Sequence, residues 1–425
     1  MENKSKSSPE NLESSSQSKT EIIKNSKLET LFEEVSLDEQ VSGGAKFAWE
    51  KTKYGLSKFN QSRIEFLNRT PLLSYSVKRI LYAIVTLYLA MIVMYVLLRI
   101  VTPDSVYIAD INLDKMGVSA GDPIYYQLIE NRKRLLGVDG PLISQIFKYL
   151  NNITPLWRKT ILLDPSFEVV NGNLEIVGRE VKMWMYLGVI FGRSTGIPLG
   201  TMVQTSFAES MPVSFKVGAL AVLLSYALGM PLGILAAKYK EKWQDTSING
   251  VNLIILAIPS LVIIKILYEL SIYYLGAGAR WEDADLFTKM FPIIGVMLLI
   301  MPSIVVNTRR YVIDEMTADY TKFAMSKGLS NSYVFYVHVF RNASLRLVKN
   351  IPEIFILTMF GSSILVEQHW NIPGMSKFIL AGVRDRDTFV VLGYIYVSAG
   401  IGIFANLLGD LALAILDPRV KLTSK

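Results

Sequence analysis

The apolar residues of this 425-residue chain fall into blocks long enough to cross a bilayer, and nothing else in the sequence restricts its fold so strongly. A hydrocarbon core about 30 Å thick calls for about 20 apolar helical residues, at about 1.5 Å of rise each. Six blocks meet or approach that length: about Ile80–Val101, Val213–Ala237, Ile248–Leu275, Phe291–Val306, Asn350–Val366 and Val390–Leu416. The fourth and fifth are short and carry Pro302 and Pro352. Lipid offers the backbone no hydrogen-bond partners, so such blocks must be helices. The expected class is therefore an all-α polytopic membrane protein with six transmembrane helices. With 51% hydrophobic and 19% charged residues, against about 25% charged in ordinary soluble domains, a soluble enzyme is disfavoured.

The formal charge of +7 fits basic loops at a membrane better than a nucleic-acid binder. Lys78 and Arg79 precede the first block, and Lys238, Lys240 and Lys242 follow the second. Arg309, Arg310, Lys322, Lys327, Arg341, Arg346 and Lys349 lie between the fourth and fifth, and Arg419, Lys421 and Lys425 follow the sixth. Six spans put all four groups on one side, so both termini are expected in the cytoplasm and residues 103–212 outside. Polar sequence ahead of the first block reads as no cleavable leader, which makes that block a signal anchor. The chain has no cysteine, which excludes disulfides, thiolate metal sites and cysteine nucleophiles. Its two histidines, His338 and His369, exclude a histidine-rich metal site. No G-x-x-x-x-G-K-[ST] loop occurs, so the chain does not hold ATP in that manner, and no cofactor is expected.

The soluble parts divide by composition. Residues 1–44 are a disordered tail; the first 40 hold nine Ser, nine acidic residues and five Lys. Residues 45–79 alternate Phe47, Trp49, Tyr54 and Phe59 with Lys46, Lys51, Lys53 and Lys58, as in an amphipathic segment on a lipid surface. Residues 80–102 are the first span, and 103–212 form an enlarged external loop of mixed α/β structure. Within it, Ser166–Val170 and Asn173–Val177 flank Asn171-Gly172, the dipeptide suited to a type I′ hairpin turn. Pro198–Met211 reads as a helix lying at the interface. Residues 213–425 hold five further spans and a cytoplasmic loop at 309–349.

That loop carries the most information. It reads Asp319-Tyr320, Lys322-Phe323-Ala324 and Lys327-Gly328-Leu329-Ser330, then His338 and Arg341-Asn342. A helical pattern runs up to Gly328, which can take the left-handed conformation that ends a helix, and a second helical pattern follows. A helix–glycine–helix elbow between two spans offers a knob to a cytoplasmic partner. The same pattern also suits a surface loop with an ordinary helix end, and spacing alone does not choose between them.

The stretch resembles the coupling loop of ABC importer permeases, E-A-A-x-x-x-G-x9-I-x-L-P, with Gly328 at the motif glycine and Ala324 at the last alanine. The version with Asp-Tyr, Lys-Gly-Leu-Ser and His-x-Phe-Arg-Asn is similar to that of the dipeptide and oligopeptide permeases. Other pieces agree in order: Tyr75–Arg79, Gly137–Leu142, Phe191–Ser194, Gly229–Ala237, Val366-Glu367 with Pro373-Gly374, Arg386-Asp387, and Asn406 to Arg419. The resemblance covers 75–102 and 190–425 well, 103–190 weakly, and 1–70 not at all.

The resemblance implies a non-catalytic permease subunit of an ATP-driven importer in the bacterial plasma membrane. It would pair with a second homologous permease, two cytoplasmic ABC ATPases and an extracellular peptide-binding lipoprotein, with lipid around it and no nucleic acid. Asp319, Tyr320, Lys322, Phe323, Ala324, Lys327, Gly328, Leu329, Ser330, His338, Arg341 and Asn342 would then meet the ATPase. Charges in or near the spans are the pathway candidates. Lys265 and Glu269, four apart on one helix face, are either an ion pair or pathway lining. Asp410 bonds a neighbouring helix or touches substrate. Glu367 and Asp387 would meet a peptide amine or the partner permease. A permease for nickel or another small solute is a close alternative. A secondary transporter would need paired midplane carboxylates and repeat halves, and a membrane sensor would need no elbow.

Overall fold

The computed structural model describes residues 71–416, apart from 110, 171, 172 and 283. The tail 1–44, most of the basic approach to the membrane, the Asn171-Gly172 turn and the closing residues 417–425 lie outside the described residues. Helix α1 (Pro71–Val101) starts before the expected span, so residues 71–79 belong to it rather than to a separate surface segment. Short 3-10 turns follow at Asp104–Ile108 and Asp114–Met116, then α2 (Pro123–Leu136), α3 (Leu142–Ile153), β1 (Lys159–Val170) and β2 (Asn173–Met183). The remaining helices are α4 (Val203–Lys238), α5 (Trp243–Ala257), α6 (Ser260–Glu269, continued by a π-helical turn to Tyr274) and α7 (Leu286–Thr317). Then come α8 (Asp319–Ser326), α9 (Asn331–His369), α10 (Ser376–Asp385) and α11 (Thr388–Leu416). Helix α9 contains two π-helical stretches, Val334–Phe340 and Thr358–Ser362.

Among the described residues, α1, α4, α7, α9 and α11 are each long and apolar enough to cross a membrane. The pair α5–α6 makes a sixth crossing if the two count as one broken span, bent by 97°. The break falls at Pro259, which lacks an N–H and pushes Ile258 into an extended conformation (φ −78°, ψ 130°). The segment expected as one span, Ile248–Leu275, is thus two short helices. Pro212, Pro231, Pro292, Pro302 and Pro352 stay inside continuous helices. The expected interfacial helix at Pro198–Met211 is not separate: α4 begins at Val203 and continues past Pro212 to Lys238.

Helices α4 and α7 pack closest where α4 is smallest. A Cβ on Gly233 would stand 2.6 Å from Thr308 Cβ and 2.7 Å from the Val305 carbonyl oxygen, so only glycine fits this approach. Arg309 on α7 grips Asp245 on α5 with two bonds of 2.6 Å, from Nε and Nη2. Asp410 on α11 pairs with Arg79 on α1 and, at 3.5 Å, with Lys349 on α9. These ion pairs satisfy charges at the ends of the apolar blocks, where they would otherwise stand unpartnered.

The segment 103–202 is not a body apart from the spans. Tyr107, Val138, Tyr149, Ile153, Leu187, Ile190 and Phe191 share one buried core with Met91 and Tyr95 of α1, Phe207 of α4, Phe378 of α10 and Phe389 of α11. Helix α3 runs down the side of α1. Tyr95 OH donates to Gln145 Oε1 at 3.3 Å, and Tyr88 OH and Thr154 Oγ1 share a bond of 2.6 Å. On α11, Tyr396 OH donates to the Ile153 carbonyl at 3.0 Å. The hairpin is longer than expected: β1 pairs antiparallel with β2 from Lys159↔Met183 to Val170↔Asn173, with a register shift between Leu163 and Ser166.

Candidate coupling elbow

Helix α7 ends at Thr317, where Ala318 turns extended (φ −65°, ψ 148°) and the chain re-enters a helix at Asp319. Helix α8 is eight residues long, too short to hold itself in water. Its buried face, Thr321 and Ala324, packs inward, and Thr321 Oγ1 donates to the Glu315 carbonyl at 2.8 Å. Gly328 ends the helix at φ +77°, with its N–H on the Met325 carbonyl at 2.9 Å. Two residues later Ser330 Oγ accepts the Tyr333 N–H at 3.3 Å and caps α9. Gly328 and Ser330 therefore form the joint of the elbow rather than its contact surface.

The outward face carries Phe323 (61% exposed), Met325 and Leu329, with Tyr333 and Tyr336 on the first turns of α9. Lys327 Nζ sits 4.5 Å from the centre of the Phe323 ring. Lys322 pairs with Asp319 at 3.1 Å on the exposed surface, a contact of little energetic weight. Arg341 is exposed. This face joins apolar area to cationic heads, which suits a protein groove with acidic edges better than water.

Other predicted residues make their contacts within the elbow. Tyr320 OH donates to the Glu315 carboxylate and accepts from Asn342 Nδ2 at 2.9 Å. Burial, then the bond to Glu315, raises the Tyr320 phenol above its ordinary range. Glu315 is also held by Arg346 Nη2 at 2.8 Å, and Arg346 Nη1 reaches Asp314 at 3.4 Å. His338 lies 6.5 Å from Tyr320 and 6.0 Å from Tyr333, ring centre to ring centre. Asp314, Glu315 and Arg346 were not among the residues predicted to act here. A signal existed: two carboxylates in the last turn of a helix oppose its dipole and call for a cation.

The pathway candidates are dispersed. Lys265 and Glu269 pair with each other at 3.1 Å, each about half exposed on α6. Glu367 is 1% exposed. Its Oε1 accepts Ser214 Oγ at 2.6 Å, and its Oε2 accepts the Ser376 N–H at 2.9 Å and the Ser376 hydroxyl. It also borders a cavity of about 370 Å³ with Glu282, Lys377 and Arg384 on the wall. Asp387 is fully buried and accepts the N–H groups of Phe191 (2.8 Å), Gly192 (2.9 Å) and Val390 (3.1 Å). Burial pushes its carboxyl up to about 6, against the downward pull of those N–H groups. Next to it, Asp385 accepts the Ser194 N–H at 2.5 Å and the Ser194 hydroxyl. Glu367 and Asp387 thus bind their own chain, where a peptide amine or a second permease was expected. Asp410 holds neighbouring helices, one of its two expected roles.

Residues 229–422 match the family described as binding-protein-dependent transport system inner membrane component. The oligopeptide transport system permease protein AmiC of Streptococcus pneumoniae is 34% identical over 225 residues, covering 51% of this chain and 44% of that one. The chain thus spans less than half the length of AmiC. The peptidoglycan transport system permease protein YejB of Agrobacterium fabrum is 28% identical over 260 residues, covering 56% and 70%. A solved structure of the inward-facing MetNI methionine ABC transporter aligns at 11% identity and TM-score 0.43, over 50% of this chain and 97% of that one. The matched residues 229–422 take in the end of α4, the elbow and the helices from α5 to α11, and are similar to the family of binding-protein-dependent transport system inner membrane components.

Proposed function

We propose that this chain is one of two membrane-spanning subunits of an ATP-driven importer of oligopeptides, and that α8 seats in a groove of a cytoplasmic ATPase. The elbow end of the bundle then faces the cytoplasm, and segment 103–202 faces outward, towards a peptide-binding protein. The chain itself hydrolyses nothing. Closure of two ATPases would push α8, and α7 and α9 would carry the push into the spans. Converting a 1:99 population to 99:1 takes about 5.5 kcal/mol of differential binding, which a loose loop would dissipate.

The observation that carries this reading is the elbow. An eight-residue helix with Phe323, Met325 and Leu329 exposed is braced at the ends of two spans. The name of AmiC, an oligopeptide transport system permease protein, supports the choice of cargo. The test is a mild-detergent purification through a tag on this chain, with mass spectrometry of the co-purifying proteins, beside uptake of a labelled pentapeptide. A second permease and Walker-type ATPases in the eluate, with uptake lost on deletion of the chain, are the expected result. A chain that elutes alone, with uptake intact after deletion, overturns the proposal.

A further inference from the structure

Glu315 stands at the inner corner of the elbow, and three elements meet on it. It belongs to the last turn of α7 and is mostly buried, its side chain 11% exposed. From α8 it receives the Tyr320 hydroxyl on its carboxylate and the Thr321 hydroxyl, at 2.8 Å, on its backbone carbonyl. From α9 it receives Arg346 Nη2 at 2.8 Å. Asn342, one turn before Arg346, closes the ring by donating to the Tyr320 oxygen at 2.9 Å. The Arg346 guanidinium also lies 5.5 Å over the Tyr311 ring of α7.

The placement on α9 adds a second observation. Asn342 and Arg346 follow directly on the π-helical stretch Val334–Phe340. A π-helical turn carries an extra residue relative to α-helix, and such turns occur mostly as single bulges because the geometry is costly. Removing it would turn the following side chains by about 100° about the helix axis, at 3.6 residues per turn. Asn342 and Arg346 would then swing away from Tyr320 and Glu315. The ring of bonds therefore fixes the register of α9 where it leaves the elbow.

We propose that Glu315, Tyr320, Asn342 and Arg346 form a clamp that locks α8 to α7 and α9 at once, so that a push on α8 moves both spans instead of bending the elbow. These are positioning residues: they leave the outward face of α8 free and act through its mounting. The inference rests on the coupling role proposed above.

The test uses the complete transporter with its partner subunits, reconstituted in vesicles. ATP hydrolysis and uptake of a labelled pentapeptide are measured together. Y320F removes the hydroxyl at the centre of the ring and keeps the aromatic packing; R346Q removes the cation and keeps most of the stem. F323D, on the outward face, tests the coupling role itself. In Y320F and R346Q the ATP consumed per peptide is expected to rise about fivefold, the change in equilibrium that loss of one net hydrogen bond of about 1 kcal/mol produces. Subunit association should be unchanged. A purely structural defect would lower assembly, hydrolysis and uptake in proportion and leave their ratio at the wild-type value. If F323D impairs coupling while Y320F and R346Q keep the wild-type ratio, the clamp is refuted and the coupling role stands. If F323D leaves association and the ratio untouched, the coupling role falls and the clamp with it.

Discussion

Gly328 and Gly233 show two different reasons for the same residue. At Gly328 the backbone demands φ +77°, yet an added Cβ would meet nothing within 4 Å. Gly328→Ala should therefore cost only the left-handed strain, about 1–2 kcal/mol, with the elbow still formed. At Gly233 the backbone is ordinary and the space is absent. Gly233→Ala should force α4 from α7 at a cost of about 1–3 kcal/mol. Thermal unfolding of the detergent-solubilised protein would rank the pair, and a larger fall in Tm for Gly328→Ala would contradict this account. Gly328 was legible in the sequence because a helical pattern stops on it. The direction of Tyr320 and Asn342 was not legible. Spacing puts them near the elbow, but what each one touches depends on Glu315 and His338, which arrive through tertiary packing.

The spanning helices were legible because lipid removes every alternative to an apolar helix of sufficient length. The bend between α5 and α6 was not, since several prolines lie in apolar blocks and Pro259 alone separates two helices among the described spans. Packing decides: α5 lies against α4 and α7, whereas α6 lies against α7 and the far end of α9. The loop between α10 and α11 was expected to offer Asp387 to a peptide amine or a second permease, and in the structure its carboxylate bonds its own chain. Asp387 gathers backbone N–H groups from Phe191, Gly192 and Val390, and so joins the start of α11 to the loop before α4. Asp387→Asn cannot satisfy all three and should destabilise by about 1–3 kcal/mol. The sign of the pH dependence comes from the raised carboxyl. A folded-state value of about 6, above the ordinary 3.8, makes the protonated form the one that folding favours. That contribution is complete below pH about 4 and lost as the pH rises through about 6. The Tm advantage of wild type over Asp387→Asn should hence grow as the pH falls from 6 to 4. An advantage that shrinks over that range would show the carboxylate, not the acid, to be the stabilised form.

Across the whole molecule, the bundle is closed at both ends by charge and hydrogen bonding rather than by loops alone. At the elbow end, Asp410 holds α1 and α9 through Arg79 and Lys349, and Arg309 holds α5 through Asp245. At the other end, Asp385 and Asp387 hold the loop 191–194. Asp410→Leu should release α1, which is the least buried of the spanning helices, and increase its access to a hydrophobic thiol reagent at a cysteine placed on Leu87. Unchanged access would show α1 to be held by packing alone. The enlarged segment 103–202 was expected as a separate subdomain because composition shows only that it is polar and long; its shared core with α1 and α11 is invisible in one dimension. That sharing sets an order of events during synthesis. The carbonyl of Ile153 waits for a hydroxyl 243 residues further along the chain, and the amides of Phe191 and Gly192 wait for a carboxylate 196 and 195 residues away. Segment 103–202 leaves the ribosome early and can finish folding only after the last helix has been made. For most of its assembly the chain holds this segment unfinished, so a nascent chain halted before α11 should be cut within 103–202 by protease at sites the complete protein protects.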